Sequence, residues 1–286
     1  MFKKISLLLY SAIKFIDLIV ITMTKRSLLN YFKEFLQNDS YKSINILNKN
    51  TIFFMPNNTT EWRIKSFFTK EPETLDWIDG FKKKKIIFWD IGANVGLYSI
   101  YAALKHNNIE IVSFEPSTSN LRVLSRNISI NNLENKIKIF TNPLSNKNNK
   151  FLIMKETEFI EGGALNCFGE NFNFEGKKIS STMNYKILGN TINNLLKSKI
   201  LRVPNYIKLD VDGIEHLILE GGDKYLKNKN IKGLCIEINE NFKTQYKKVI
   251  SILKKNKFRI LHKKHSKEFD LKINKFNKTF NYIFIR

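Results

Sequence analysis

An α/β fold on a mostly parallel sheet is what this sequence predicts, and three observations predict it. Short apolar runs alternate with helical stretches from Phe81 to the C-terminus. Runs such as 86–91 and 109–114 are apolar almost throughout, which places cover on both faces of the sheet. A loop with two glycines, Asp90-Ile91-Gly92-Ala93-Asn94-Val95-Gly96, follows the first run and opens a helix, where open α/β sheets bind ligands. With 286 residues, 43% of them apolar and 13% aromatic, the chain can bury one large core or two small ones, and it is neither disordered nor collagen-like. Cys167 and Cys235 are too few for a disulfide framework or a four-cysteine zinc site, so a reducing compartment is expected.

Residues 5–23 are mostly apolar, with Lys3 and Lys4 before them and Lys25 and Arg26 after. The length approaches that of a spanning helix, but Lys14 and Asp17 interrupt it at a cost of about 2.5–3.5 kcal/mol each at a membrane centre. No small-residue cleavage site follows. The expectation is a helix packed on its own protein, with peripheral membrane contact through residues 1–25 as the alternative. Residues 38–50 read as a polar connection, 51–55 as a strand and 57–60 as a turn. Pro72 between two glutamates fits a helix N-terminus. Strands follow at 86–91, 109–114, 137–140, 206–211 and 231–238, with closing strands at 258–262 and 280–285. Helices are expected at 97–105, 120–130, 214–226 and 242–255. Between Leu144 and Leu201 the alternation breaks, which reads as an inserted hairpin punctuated by Gly162-Gly163. Residues 1–80 then form an N-terminal helical or cap extension, and 81–286 the α/β domain.

The formal net charge of +22 invites a nucleic-acid or membrane reading. The excess is nearly all lysine, is scattered, and accompanies many asparagines and isoleucines, a pattern of A- and T-rich coding rather than of one basic patch. The sequence has no aromatic RNA-binding motif and no lysine-rich arm, so nucleic acid is not the expected partner. A basic surface for an acidic glycan or membrane stays open.

The glycine loop carries the sharpest chemistry. Gly92 and Gly96 allow a ligand close to the backbone. Glu115 ends the second strand, where an acid accepts hydrogen bonds from both ribose hydroxyls of a nucleoside. A dinucleotide needs G-x-G-x-x-G, and here Asn94 holds the middle position. Asp90, two residues before Gly92, would repel a pyrophosphate. It suits a ligand with an ammonium and a sulfonium, such as S-adenosylmethionine.

With these residues the chain resembles the FkbM-type family of S-adenosylmethionine-dependent methyltransferases. The matching pieces are the segments 88–99, Phe114-Glu115-Pro116-Ser117 with Asn120, and 207–215. Glu71-Pro72-Glu73-Thr74 and the closing 281–286 are also similar, so the resemblance runs from about Thr51 to the C-terminus. It implies a Rossmann-like class I methyltransferase fold of seven strands, the last antiparallel. It implies a methyl donor held by Asp90, Gly92, Asn94, Gly96 and Glu115, and transfer to oxygen, often a sugar hydroxyl. Relatives often carry an acid after Leu-Ser near the adenine. Here Asn146 follows Leu144-Ser145, so Ser145 with a side-chain amide or backbone group is expected in that role.

Lys208-Leu209-Asp210-Val211-Asp212-Gly213-Ile214-Glu215-His216 leaves a strand and enters a helix. Alternation puts Lys208 and Asp210 on one face, with Asp212 just beyond the strand. Methyl transfer to an alcohol needs in-line placement and a positioned base. Asp210 is the first candidate, with His216 and Glu215 behind it and Lys208 as partner or hydrogen-bond donor. Asp212 and Glu237 are candidates for acceptor binding. No metal site is expected, although Asp210 and Asp212 together offer an alternative in which a divalent ion lowers the hydroxyl pKa. The resulting expectation is a glycan or small-molecule O-methyltransferase, located in the cytoplasm or on a membrane facing it.

Overall fold

The computed structural model describes residues 1–82, 84–266, 269–270 and 274–286. Two helices, α1 (Phe2–Thr24) and α2 (Leu28–Asp39), precede the hairpin of β1 (Tyr41–Ile46) and β2 (Lys49–Phe54). Residues 38–50 are therefore not a plain connection: most of them build β1 and its turn. The backbone of β2 is satisfied from α7 (Thr118–Ile130) and its C-cap: Asn127 Oδ1 accepts from Phe54 N, and the Asn131 amide pairs with both backbone groups of Ile52. Asn57, expected in a turn, instead caps α3 (Asn58–Lys65), its side chain accepting from Thr60 N. Helices α4 (Phe67–Lys70) and α5 (Pro72–Asp79) follow, α5 with proline in its first turn as expected.

The main sheet takes β3 (Ile86–Ile91), β4 (Ile109–Phe114), β5 (Ile137–Phe140), β9 (Tyr206–Leu209), β10 (Gly233–Asn239), β11 (Arg259–Lys264) and β12 (Thr279–Ile285). Their order is β11-β12-β10-β9-β3-β4-β5, with β12 antiparallel to both neighbours and the five strands from β10 to β5 parallel. This is the Rossmann-like class I methyltransferase arrangement that the sequence predicts. Strand parity separates two cores. Trp89 and Ile91 face one with Leu209 and Ile236, and Phe88 faces the other with Ile100, Tyr101 and Val123 of the covering helices. Each fully buried side chain of this size contributes about 1.5–3 kcal/mol.

The covering helices are α6 (Leu97–Lys105), α7, α8 (Ile192–Lys197), α9 (Glu215–Glu220), α10 (Asp223–Leu226) and α11 (Lys243–Lys255). The helix expected over 214–226 divides at Gly221-Gly222 because a loop lies against it. A Cβ on Gly221 would stand 2.1 Å from the Ser145 carbonyl oxygen. The inserted hairpin is a three-stranded antiparallel sheet, β7 (Cys167–Phe168), β6 (Lys150–Glu156) and β8 (Met183–Gly189), in the order β7-β6-β8.

The N-terminal helix departs furthest from expectation. It does not pack on the domain: among the described residues of α1, only Asp17 is buried, and α1 touches α2.

Candidate active site

Two cavities open at the carboxyl ends of β3, β4 and β9. The first is the narrower, about 80 Å³. It is a slot with Gly92 and Asn94 at one end, Glu115 beside them, and an apolar end formed by Phe114, Leu144, Met154 and Phe168. The second is a wider chamber, about 500 Å³, that mixes charged groups (Lys70, Glu71, Glu237, Lys275) with aromatic ones (Trp62, Phe276). The two share Gly92, Asn94, Ala164, Asp210 and Asp212 as walls, so Asp210 stands where slot meets chamber.

The glycine loop is held from below. Gly92 N and Ala93 N both donate to Phe114 O. Gly92 has φ 87° and packs against the turn after β9, where an added Cβ would lie 1.8 Å from Asp210 O. Gly96 has φ 88°, serves as N-cap of α6 and meets Leu124 rather than either cavity. Asn94 donates its side-chain amide to Gly163 O, while its Oδ1 is buried with no hydrogen-bond partner among the described residues. That acceptor fits an ammonium group placed over the loop.

Glu115 accepts from Asn94 N (2.7 Å), Ser117 N (2.9 Å) and the Asn120 amide (3.4 Å). A carboxylate offers about four lone-pair positions, so one stays open toward the slot. Burial pushes Glu115 up to about 7, although the Ser117 and Asn94 amides oppose the rise. The segment around Gly162-Gly163 closes over this corner. Gly163 O accepts from Asn94 and Asn120, Gly162 N donates to Asn120 Oδ1, and Arg63 Nε donates to Gly162 O.

At the chamber side, Lys208 donates to Asp210 Oδ2 at 2.7 Å. Lys208 is 1% exposed and lies level with Asp90 in the β3–β9 register, its ammonium 4.7 Å from the Tyr98 ring centre. Burial works against its charge, but Asp210, Glu71 and Asp90 outweigh it and raise the lysine. It therefore stays an ammonium and cannot act as a base. Glu71 accepts from Lys70 and from the Tyr98 hydroxyl, each at 2.7 Å. Burial alone would raise it, yet Lys70 and Lys208 hold it well below the usual carboxylate range. Burial, with Asp210 and Glu71 close by, pushes Glu237 well above that range, which favours its protonated form. Asp212, at φ 60°, accepts from Leu165 N and Asn166 N of the closing segment, and burial raises it to about 6.

Of the residues predicted from sequence, Gly92, Asn94, Glu115, Asp210, Asp212 and Glu237 line one cavity or both. Lys208 pairs with Asp210 and itself lines a third, smaller cavity with Glu71 and Tyr98. Asp90 does not: it is 0% exposed and accepts from Ser99 Oγ, facing α6 rather than the slot. Ser145 receives Lys147 N in its own loop, and Asn146 binds Glu220 at the surface, so neither side chain lines the slot. Leu144 and Pro143 do. Glu215 folds back on its own turn, accepting from Val211 N, Gly213 N and the Gln245 amide. His216 lies between Phe172 and Phe242, outside both cavities. Neither is placed to take a proton from an acceptor at Asp210. Sequence reasoning missed Glu71, Lys70, Tyr98 and Arg63. Glu71 was visible as part of Glu71-Pro72-Glu73-Thr74, but only as a helix-start acid.

A family model described as the methyltransferase FkbM domain matches residues 90–260. None of the curated proteins compared with this chain matches it. Among solved structures, the methyltransferase FkbM from Methylobacillus flagellatus KT is similar at 14% identity and TM-score 0.47. The alignment covers 71% of this chain and 44% of that one, so this chain spans under half of that relative's length. A precorrin-6y C5,15-methyltransferase from Geobacter metallireducens aligns at 13% identity and TM-score 0.42, over 75% of this chain and 86% of that one. An rRNA methylase from Streptococcus thermophilus aligns at 13% identity and TM-score 0.44, over 75% and 94%.

Proposed function

Since this chain belongs to the FkbM-domain methyltransferase family and takes S-adenosylmethionine as its methyl donor, we propose that it methylates a hydroxyl oxygen of a sugar in a bacterial surface glycan or its precursor. The observation that carries the reading is the Lys208–Asp210 pair standing at the junction of slot and chamber. The chamber walls suit a polyol: acids and lysines to exchange hydrogen bonds, and Trp62 and Phe276 to cover apolar ring faces.

When bound, the donor supplies a methyl group already activated by the sulfonium. Asn94 Oδ1 would receive its ammonium, Glu115 would accept from its ribose, and Leu144, Met154 and Phe168 would line the adenine end. Asp210 accepts the proton of the acceptor hydroxyl as the oxygen attacks, and Lys208 keeps the carboxylate oriented. Glu237 donates to a neighbouring acceptor oxygen and helps fix the line of attack. The reading is tested with donor carrying a labelled methyl group, offered glycan, lipid-linked glycan and RNA fractions in parallel. Label in a sugar ether supports it; label in RNA alone sinks it.

Donor affinity should depend on pH through Glu115. Its protonated form has one acceptor fewer for the ribose hydroxyls, so binding is full above pH 7 and weakens as pH falls through it. Below that point the loss approaches about tenfold per pH unit. Calorimetric titrations from about pH 6 to 8.5 measure the slope; Glu115→Gln should bind weakly and lose it.

Chelation should do little. Carboxylate oxygens of Glu71, Asp210 and Glu237 lie within 4.8 Å of one another. Lys70 and Lys208 already balance the first two, and the surroundings of Glu237 disfavour its charged form. We expect EDTA to leave turnover within about twofold, whereas a metal-activated hydroxyl would lose orders of magnitude.

A further inference from the structure

Most of the exposed large apolar side chains among the described residues lie in residues 1–36. Helix α1 has 23 residues, about 34 Å of length. Ile5, Leu8, Leu9, Ile16, Ile19 and Met23 follow one another along one side of it, all exposed. The side that carries Lys14 is apolar as well, with Leu7, Tyr10, Leu18 and Ile21 exposed there. Helix α2 repeats the pattern, with Leu28, Tyr31, Phe32, Phe35 and Leu36 exposed at three- and four-residue spacing. Burying these surfaces is worth several kcal/mol per helix at about 25 cal/mol per Å², and nothing in the fold covers them.

We propose that the α1–α2 hairpin is a membrane anchor that places its apolar surface in an anionic bilayer. Three observations identify a bilayer as occupant. First, α1 meets the length and composition of a membrane helix, and its apolar side chains are bare around most of its circumference. Second, cations bracket it: Lys3 and Lys4 at one end, Lys25 and Arg26 at the other, on a chain of net charge +22. Anionic lipid adds about 1 kcal/mol per such residue near the surface. Third, the acid that would resist insertion has its hydrogen bonds met inside the hairpin. Asp17 accepts from Leu28 N, Leu29 N and Ser27 Oγ, so it caps the N-terminus of α2. The far end of α2 adjoins the donor slot: Arg122 bonds both Gln37 of α2 and Glu161 of the closing segment. The anchor therefore sets the bilayer beside the segment that covers the slot. This inference does not depend on which acceptor is methylated.

Flotation of the full chain with vesicles tests it. Vesicles of phosphatidylcholine alone and of phosphatidylcholine with phosphatidylglycerol are compared, with Ile16→Asp/Ile19→Asp as the variant. The parent should float, more strongly with the anionic vesicles, and the variant should lose at least about tenfold in partitioning. Unchanged donor binding by the variant shows that its fold is intact. A parent that stays unbound to both vesicles, or a variant that floats equally well, overturns the proposal. So does lipid-independent self-association through the same face, or membrane-recovered protein that begins after Thr24.

Discussion

Asp210→Asn should cut turnover by about 10²–10⁴-fold, the range that a positioned base contributes. Donor affinity should change little, because the Asp210 side chain makes no bond to the loop that receives the donor; its backbone carbonyl packs on Gly92. The substitution keeps the shape and a hydrogen bond from Lys208 while removing the proton acceptor. Loss in kcat and in kcat/KM should therefore be nearly equal, the pattern of a group that acts in the transition state. Glu215→Gln and His216→Phe provide the contrast. Neither residue reaches a cavity, so whatever they change should follow stability and not chemistry. The base assignment fails if Asp210→Asn retains full turnover with label transfer measured at saturating donor and acceptor.

Why Asp210 was legible and its companions were not has a physical reason. A strand of period two places Lys208 and Asp210 on one face whatever surrounds them, and the glycine loop advertises itself through residues that only a tight strand-to-helix turn requires. The order of apolar runs likewise predicts the sheet. Past the strand end that logic fails. Asp212 at φ 60° and Gly213 at φ 126° reverse the chain, so Glu215 caps its own turn and His216 is carried to an aromatic pocket on the far side. Asp90 was misplaced for a related reason: it shares the face of Phe88, and that face is covered by α6 rather than open to the slot. Glu71 comes from a separate helix start, and no local pattern tells a buried acid from an exposed one there. The closing segment works through the backbone of Gly162 and Gly163, which leaves no side-chain signature at all. In α1 the apolar composition was plain, but composition cannot distinguish a helix covered by protein from one left bare.

Lys208→Met should be the most destabilising single change at the site. The lysine is enclosed by Asp210, Glu71 and Asp90, all of which favour its charge. Removing it leaves Asp90 buried without a cation, since Lys70 pairs with Glu71 instead. Breaking a buried ion pair from one side costs about 3–5 kcal/mol. For a chain of this size that amounts to a fall in Tm of roughly 6–20 °C. Asp90→Asn in the same background removes a carboxyl group that burial disfavours and that has lost its nearest cation, while Ser99 can still donate to the amide oxygen. The double variant should therefore regain part of the loss, and the coupling between the two positions should be about 1–3 kcal/mol in a double-mutant cycle. Thermal unfolding of the four proteins at one pH gives the number. Additive effects would mean that Asp90 is held by the Ser99 hydrogen bond alone and that the two strands share no charge pair. A recovery would show that the ladder from Asp90 through Lys208 to Asp210 is one electrostatic unit, built into the sheet beneath the glycine loop and ending at the base.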